Sequence, residues 1–399
     1  MTGAAPAPGG GTVVLCLNAG SSSLKTALYR FDRAEQAVTG GPAPALLDRG
    51  TAEHPGGGAG MAAAVEAALA RLGSAGLPSP AAVGHRVVHG GPDHATPVLV
   101  TEALLADLEA LVPFAPLHQP AALHGIETVA KRLPGVPQVA CFDTAFHRRM
   151  PEVAQRLPLP RRLHDEGIRR YGFHGLSYEY VIDHARVGAE GRTVVAHLGN
   201  GASLAAVRDG QPLDTTMGFT PSGGLVMGTR PGDLDPGVLV YLAARGGYDP
   251  AALERLVDHE AGLLGVSGSS GDMRDLLVRR DRDPAAALAV ALFCHQLRKH
   301  LGALAAVLGG LDTLVFTGGI GEHAAPVRAQ TCAGLEHLGV RLDEARNRAN
   351  APVISQPTSP CTVRVLPTDE DLVIARHTYA LTVATASSPS PDAPTTRRR

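Results

Sequence analysis

Apolar positions along the chain fall into short runs divided by small and polar residues, and the runs alternate in kind. Thr12–Leu17 and Thr26–Phe31 read as strands around a Ser-rich turn, Ala82–His89 as strand-like, and Gln138–Phe142 as a short apolar strand. Met61–Leu72 reads as an Ala-rich helix, and Thr101–Leu111 as a helix with Thr101 at its N-cap. Thr193–His197 and Ser203–Val207 read as strands around a Gly-rich turn; the long helix Ala285–Leu308 precedes the strand Thr313–Phe316. Strands alternating with helices predict an α/β fold. The Ala/Pro/Gly-rich residues 1–11 and the Ser/Pro/Thr-rich residues 385–399 are expected to be disordered.

The pattern has an internal echo. Val13–Leu17, with a turn ending Ser23-Leu24, aligns without gaps on Thr193–His197, with a turn ending Ser203-Leu204, an offset of 193 less 13, or 180 residues. Two strand–turn–strand units at half-chain spacing suggest two related domains facing each other across a cleft.

Composition narrows the classes. At roughly 150 residues per domain, 399 residues make two to three domains. A hydrophobic fraction of 44% against 19% charged fits a folded chain, and with no Trp its cores rest on Ala, Val and Leu. A net charge of −2 argues against a dedicated nucleic-acid protein. Only Lys25, Lys131 and Lys299 are lysines among 36 basic residues, so a lysine carries more information here than an arginine. Five cysteines without a C-x-x-C pair read as buried free thiols in a reducing compartment. The first basic residue is Lys25, so there is no charged signal-peptide start. The most continuous apolar stretch of the long helix, Ala285 to Cys294, is 10 residues, too short to span a bilayer. The expectation is a soluble cytoplasmic protein.

Several short segments carry candidate chemistry. Asn18-Ala19-Gly20-Ser21-Ser22-Ser23-Leu24-Lys25 offers backbone N–H groups, hydroxyls and one ammonium to a phosphate, and no Gly-Lys-Ser/Thr makes it a Walker A loop. His197-Leu198-Gly199-Asn200-Gly201-Ala202-Ser203 is a second phosphate turn or a type I′ hairpin. Gly318-Gly319-Ile320-Gly321-Glu322-His323 follows a strand and suits a nucleotide at a helix start, although Ala324 stands where a dinucleotide fingerprint has its third glycine. In Gly84–Gly91, His85 and His89 are read as structural histidines on one strand face, and Arg86 as an anion ligand. Asp143 ends an apolar strand, as a ligand-facing acid or a helix N-cap. His174 and Arg230 sit in Gly/Pro-rich loops. Thr368-Asp369-Glu370-Asp371 is either a capping box of Thr368 with Asp371, an acidic first turn, or a set of oxygen ligands for Mg²⁺.

In their order, the segments NAGSSSLK, GHRVVHGG, FDTAFH, RRYGFHG, HLGNGAS, MGTRPGDLDPG, SGDMRDL, FTGGIGE and PTDED resemble the acetate kinase family from about Val13 to His377. The resemblance implies two duplicated actin-like, ribonuclease H-like α/β domains around an active-site cleft. Their expected bounds are 12–146 plus 371–384 for the first, and 147–370 for the second, nucleotide-binding and dimerising domain. It implies Mg²⁺ (or Mn²⁺) held with Asn18 and Glu370, Lys25 at the ATP site, and Arg86 on the acyl substrate. Asp143 matches the essential acid/base, and His174 and Arg230 match the transition-state stabilisers. His197, Leu198, Gly199, Asn200 and Gly201, with Asp272, Met273 and Arg274, and Gly319, Ile320, Gly321, Glu322 and His323, match the nucleotide-binding stretches. Val88, Leu117, Phe173 and Pro221 match the pocket for the acyl methyl. The implied partners are acetate or acetyl phosphate, ATP or ADP, and a second copy of the chain in a homodimer, with neither nucleic acid nor membrane.

The sequence departs from the family pattern at His323, usually Asn, at Tyr178, usually His, at Pro231, usually Ser, and at Ser222-Gly223, commonly Leu-Glu. Acetate has a pKa near that of Glu, about 4.3, and is already a carboxylate at neutral pH. Phosphoryl transfer to it needs positioning and positive charge rather than a base. Asp143 is therefore assigned an electrostatic or metal-water role. The leading expectation is reversible ATP:acetate phosphotransfer. The alternatives are propionate or butyrate kinase and, from another class, an actin-like or chaperone-like nucleotide switch without an acyl-binding arginine.

Overall fold

The computed structural model of the protein describes residues 11–20, 23–38, 41–53, 57–116 and 118–386. They form two compact units. The first comprises the chain through Val88, Thr96–Phe142 and the chain from Glu370; the second comprises His89–Ala95 and Asp143–Asp369. The expected bounds were 146/147 and 370/371. Residues 1–10 and 387–399 of the two expected tails, and Ser21, Ser22 and Leu117, lie outside the described residues. The last helix runs to Ala386 and takes in the first two residues of the expected C-terminal tail.

Among the described residues eleven strands build the two units: β1 Thr12–Ala19, β2 Ser23–Phe31, β3 Ala45–Glu53, β4 Ala82–Val87, β5 Val98–Leu99, β6 Gln138–Phe142, β7 Arg192–Leu198, β8 Ala202–Arg208, β9 Gln211–Thr215, β10 Thr313–Thr317 and β11 Thr362–Val365. The first sheet has the order β3-β2-β1-β4-β6-β5 and the second β11-β10-β7-β8-β9. In the first, β1 to β3 form an antiparallel meander, and β4 then β6 run parallel to β1. In the second, β7 to β9 form the meander, and β10 then β11 run parallel to β7. The duplication seen as a sequence echo is thus a duplication of topology.

The gapless alignment is nevertheless out of register beyond the turn. Cys16 pairs with Ala27, whereas Ala196, its counterpart at an offset of 180, pairs with Leu204. Ala27 and Leu204 therefore correspond, an offset of 177, because the second turn is three residues shorter. Only Gly199–Gly201 separate the paired residues Leu198 and Ala202, so the turn is not a two-residue type I′ hairpin.

In the first unit the core lies between the sheet and helices on its faces. The helix Gly57–Ser74 contributes Met61, Ala64, Val65 and Leu72 against Leu15, Leu17, Leu28 and Val83. The helix Glu102–Ala110 starts as expected, with Thr101 accepting the Leu104 N–H at 3.2 Å. The closing helix Glu370–Ala386 packs over β1, β4 and β6. Gly84 on β4 permits this, because a Cβ there would collide with Thr378 Oγ1 and the Ile374 side chain. Strand β4 stops at Val87, two residues before His89, so His85 and His89 do not share a strand face. His85 instead bonds Gln138 at 2.7 Å within the first unit, and His89 packs against Tyr171 and Phe173 in the second.

In the second unit the helix Pro284–Leu308 lies on the sheet. Its ends follow from sequence. Asp283 accepts the N–H groups of Ala285 and Ala286, Pro284 occupies the first turn, and Gly309 closes the helix at φ +72°. Among the described residues no helix is long and apolar enough to cross a membrane, and Cys16, Cys141, Cys294, Cys332 and Cys361 are all buried free thiols.

Candidate active site

The first unit gathers charged groups at the carboxyl ends of its parallel strands. Asn18, at the end of β1, pairs in register with Lys25 on β2, so both side chains share a sheet face. Asn18 Oδ1 accepts from Arg86 Nη1 at 3.2 Å, and its amide donates to Glu370 Oε2 at 2.9 Å. Glu370 and Asp371 form the acidic first turn of the closing helix. The capping box is not formed, because the Thr368 hydroxyl is buried without a hydrogen-bond partner. Asn18 is buried and Lys25 exposed.

The second unit holds the other groups. Asp143 follows β6 directly and is fully buried; the next helical turn starts at Phe146 with Ala145 ahead of it, so Asp143 is not its N-cap. Its carbonyl accepts the Gly175 N–H at 2.8 Å, and a Cβ at Gly175 would fall on that oxygen. His174, immediately before, sits in the left-handed region at φ +59°, a conformation non-glycine residues rarely adopt. Its Nδ1 lies 2.8 Å from Ser203 Oγ, and its ring stacks on His197 at 4.3 Å. Arg230 is buried and donates from Nη1 to the Pro221 carbonyl at 2.6 Å. A Cβ built on Gly201 would lie 3.0 Å from Arg230 Nη2 and 3.2 Å from His174 Nε2. The two side chains therefore border one space over the β7–β8 turn.

That turn also borders a cleft of about 480 Å³ lined by Gly199, Asn200, Gly271, Asp272, Met273, Arg274, Leu277, Gly319, Ile320, His323, Ala324 and Pro326. The volume suits a small-molecule site. Asp272 caps the helix Met273–Arg279 by accepting the Arg274 N–H; its hydrogen bonds from the Arg274 side chain hold its carboxyl below the usual range. Gly318 opens the turn after β10 at φ +76°, where a Cβ would lie 2.7 Å from the Leu198 carbonyl oxygen. Arg328 is wholly buried behind this turn. It donates to the carbonyls of Gly321 at 2.7 Å and Glu322 at 3.0 Å, and to Asn347 and Asn350; burial pushes its guanidinium down to about 10.

Of the expected nucleotide residues, the cleft collects Gly199, Asn200, Asp272, Met273, Arg274, Gly319, Ile320 and His323. It does not take its lining from Leu198, which is buried in β7, nor from His197, Gly201, Gly321 or Glu322; Lys25 belongs to the first unit. Gly271, Leu277, Ala324 and Pro326 line it without having been anticipated. Of the acyl-pocket set, Val88 is buried in the first unit, and Phe173 and Pro221 are buried in the second. One further residue emerges from the strand registers. Gly84 pairs with Val139 and Phe316 with Val365. Asp143 stands four residues after Val139, directly past β6, and Asp369 four after Val365, in the segment past β11, so each sheet has an aspartate beyond its last parallel strand. Val139–Asp143 is an apolar run closing on Asp, whereas Val365-Leu366-Pro367-Thr368-Asp369 reaches its aspartate through Pro and Thr.

Two sheets of one strand order, with charged groups at the ends of their parallel strands, define a two-domain α/β phosphotransferase of the actin-like class. A sequence profile of the Acetokinase family matches residues 13–376. The chain is 46% identical over 396 residues to an acetate kinase of Methylocella silvestris, covering 92% of this chain and 97% of that one. It is similar in structure to Porphyromonas gingivalis acetate kinase, at TM-score 0.80 and 38% identity, over 93% of this chain and all of that chain. A propionate kinase from Francisella tularensis superposes at TM-score 0.81 and 34% identity, over 92% and 99%. The chain belongs to the acetokinase family.

Proposed function

We propose that the protein transfers the γ-phosphoryl group of ATP reversibly to acetate, giving acetyl phosphate and ADP by direct in-line transfer. The observation that carries this reading is the β7–β8 turn. One side of it lines the cleft through Gly199 and Asn200, and Gly201 is flanked by Arg230 and His174. A nucleotide in that cleft would extend its phosphates along backbone N–H groups toward one guanidinium and one imidazole. Those groups oppose the charge that spreads over the transferred phosphoryl group. Arg86 presents a planar fork to the acetate carboxylate. Val88, Leu117, Phe173 and Pro221 are assigned to its methyl.

The donor set fits Mg²⁺. Asn18 and Glu370 offer hard oxygens, and a site with two protein ligands suits an ion that keeps waters and binds phosphate. When bound, Mg²⁺ neutralises charge on the phosphate oxygens. Arg86 keeps the Asn18 amide oriented, Lys25 adds positive charge on the same sheet face, and Asp143 takes an electrostatic or metal-water role rather than a proton transfer.

The helix Pro236–Arg245 buries none of its residues and exposes Val238, Val240 and Tyr241, which supports a homodimer covering it. Five buried free thiols support a reducing, cytoplasmic setting. The test of the activity is hydroxamate formation with ATP and Mg²⁺. Acetate-dependent product is expected; ATP turnover or binding with no acyl product at any short acid would point to a nucleotide switch.

A further inference from the structure

Behind His174 lies a hydrogen-bonded chain whose proton count has only one economical solution. His174 Nδ1 is 2.8 Å from Ser203 Oγ, and Ser203 Oγ is 2.5 Å from the Tyr178 hydroxyl. Ser203 and Tyr178 are both fully buried. Each hydroxyl carries one hydrogen. If His174 Nδ1–H donated to Ser203, either Ser203 would donate to Tyr178 and strand the phenol hydrogen, or Ser203 would accept from both and strand its own; in each case one buried hydroxyl hydrogen has no acceptor among the described residues of this chain. That costs about 1–3 kcal/mol. If Tyr178 donates to Ser203 and Ser203 donates to Nδ1, every hydrogen is used. Nδ1 is then an acceptor, and the neutral ring carries its proton on Nε2, the atom beside the Gly201 space and Arg230.

We propose that Tyr178 and Ser203 are positioning residues that lock His174 as the neutral Nε2–H tautomer, making it a hydrogen-bond donor that does not depend on being an imidazolium. The left-handed backbone at His174 and the stacked His197 ring, itself held by Ser177 at 2.8 Å, fix the direction in which Nε2 points. The groups facing this network are consistent with it. Arg230 and His197 stand beside the ring, while the negative Asp143 acts on Tyr178. His147 meets Tyr178 edge-on at 5.4 Å and is itself held neutral by burial, with its pKa near 4. Burial pushes the Tyr178 phenol above its usual range, so it stays a donor throughout the working pH range.

The proposal rests on the assignment of His174 as a donor to the phosphoryl group, but its test does not. With ¹⁵N-histidine labelling, and His174→Gln to assign the resonances, His174 of the wild-type protein should show the neutral Nε2–H pattern at pH 7. In Tyr178→Phe and in Ser203→Ala the Nδ1–H and imidazolium forms should appear. In turnover, kcat of both variants should gain an alkaline limb, falling by up to about twentyfold between pH 7 and 8.5 as imidazolium is lost past its ordinary value near 6.5. The wild type should lack this limb and KM for ATP should hold. An imidazolium or Nδ1–H ring in the wild type, or an unchanged tautomer in both variants, overturns the proposal. An unaltered kcat in His174→Gln with the tautomer as expected would sink the catalytic assignment alone.

Discussion

Asn18 and Glu370, 352 positions apart, meet side chain to side chain at 2.9 Å. The closing helix brings this about by laying its first turn at the end of β1, and Arg86 completes the row from β4 at 3.2 Å. The arginine is therefore held on a sheet rather than on a loop. Arg86→Ala should cost about 10²–10³ in kcat/KM, as losing one preorganised electrostatic contact does. Arg230→Ala should cost a similar factor, and lysine at either site should rescue only in part, for want of the planar fork. Near wild-type turnover in both alanine variants, at unchanged melting temperature, would contradict these roles.

Arg328 spans the back of the Gly318–His323 turn through carbonyl acceptors alone. Arg328→Met should leave several buried carbonyls unpaired and lower stability by about 3 kcal/mol or more. Because two of those carbonyls belong to Gly321 and Glu322, KM for ATP should rise as well. Denaturant midpoints and ATP kinetics read both effects.

Gly84 is occupied by contact rather than by backbone conformation. Gly84→Ala should overpack β4 against Ile374 and Thr378 and cost about 1–3 kcal/mol. The urea midpoint should fall at constant m value.

Burial lowers His85, His89 and His147 from the ordinary 6.5 to about 4. All three are neutral when folded, while the unfolded chain takes up their protons between pH 6.5 and 4. Stability should therefore fall as pH drops through that window and be insensitive to these groups above it. Urea unfolding at pH 7, 6, 5 and 4.5 checks this; a flat profile would contradict the buried, neutral assignment.

The central strands were legible because each is a nearly unbroken apolar run, buried on both faces. Strand β3 was not, because half-buried and exposed positions in ALLDRGTAE leave no clean alternation. Of the closing helix only the acidic first turn was read, for the opposite reason. Val373, Ile374, Ala375 and Arg376 are all buried in succession, so no single apolar face marks it. In the proposed site, the residue types that suit the chemistry stood out in the sequence: Arg86, Asp143, His174 and Arg230. Leu277, Ala324 and Pro326 line the cleft only by shape, which no residue type signals. Tyr178 stood out as a departure, but its role needed the 2.5 Å contact with Ser203 to become visible.

The most direct test of the central claim is kcat/KM for acetate, propionate and butyrate with ATP and Mg²⁺, on the wild type and on Val88→Ala. One methylene in an apolar pocket is worth about 1–3 kcal/mol, or roughly 10–200-fold. Acetate should lead, with propionate detectable and butyrate far behind, and Val88→Ala should narrow the gap between acetate and propionate. A wild-type protein that prefers propionate, or that phosphorylates none of the three, would contradict the account.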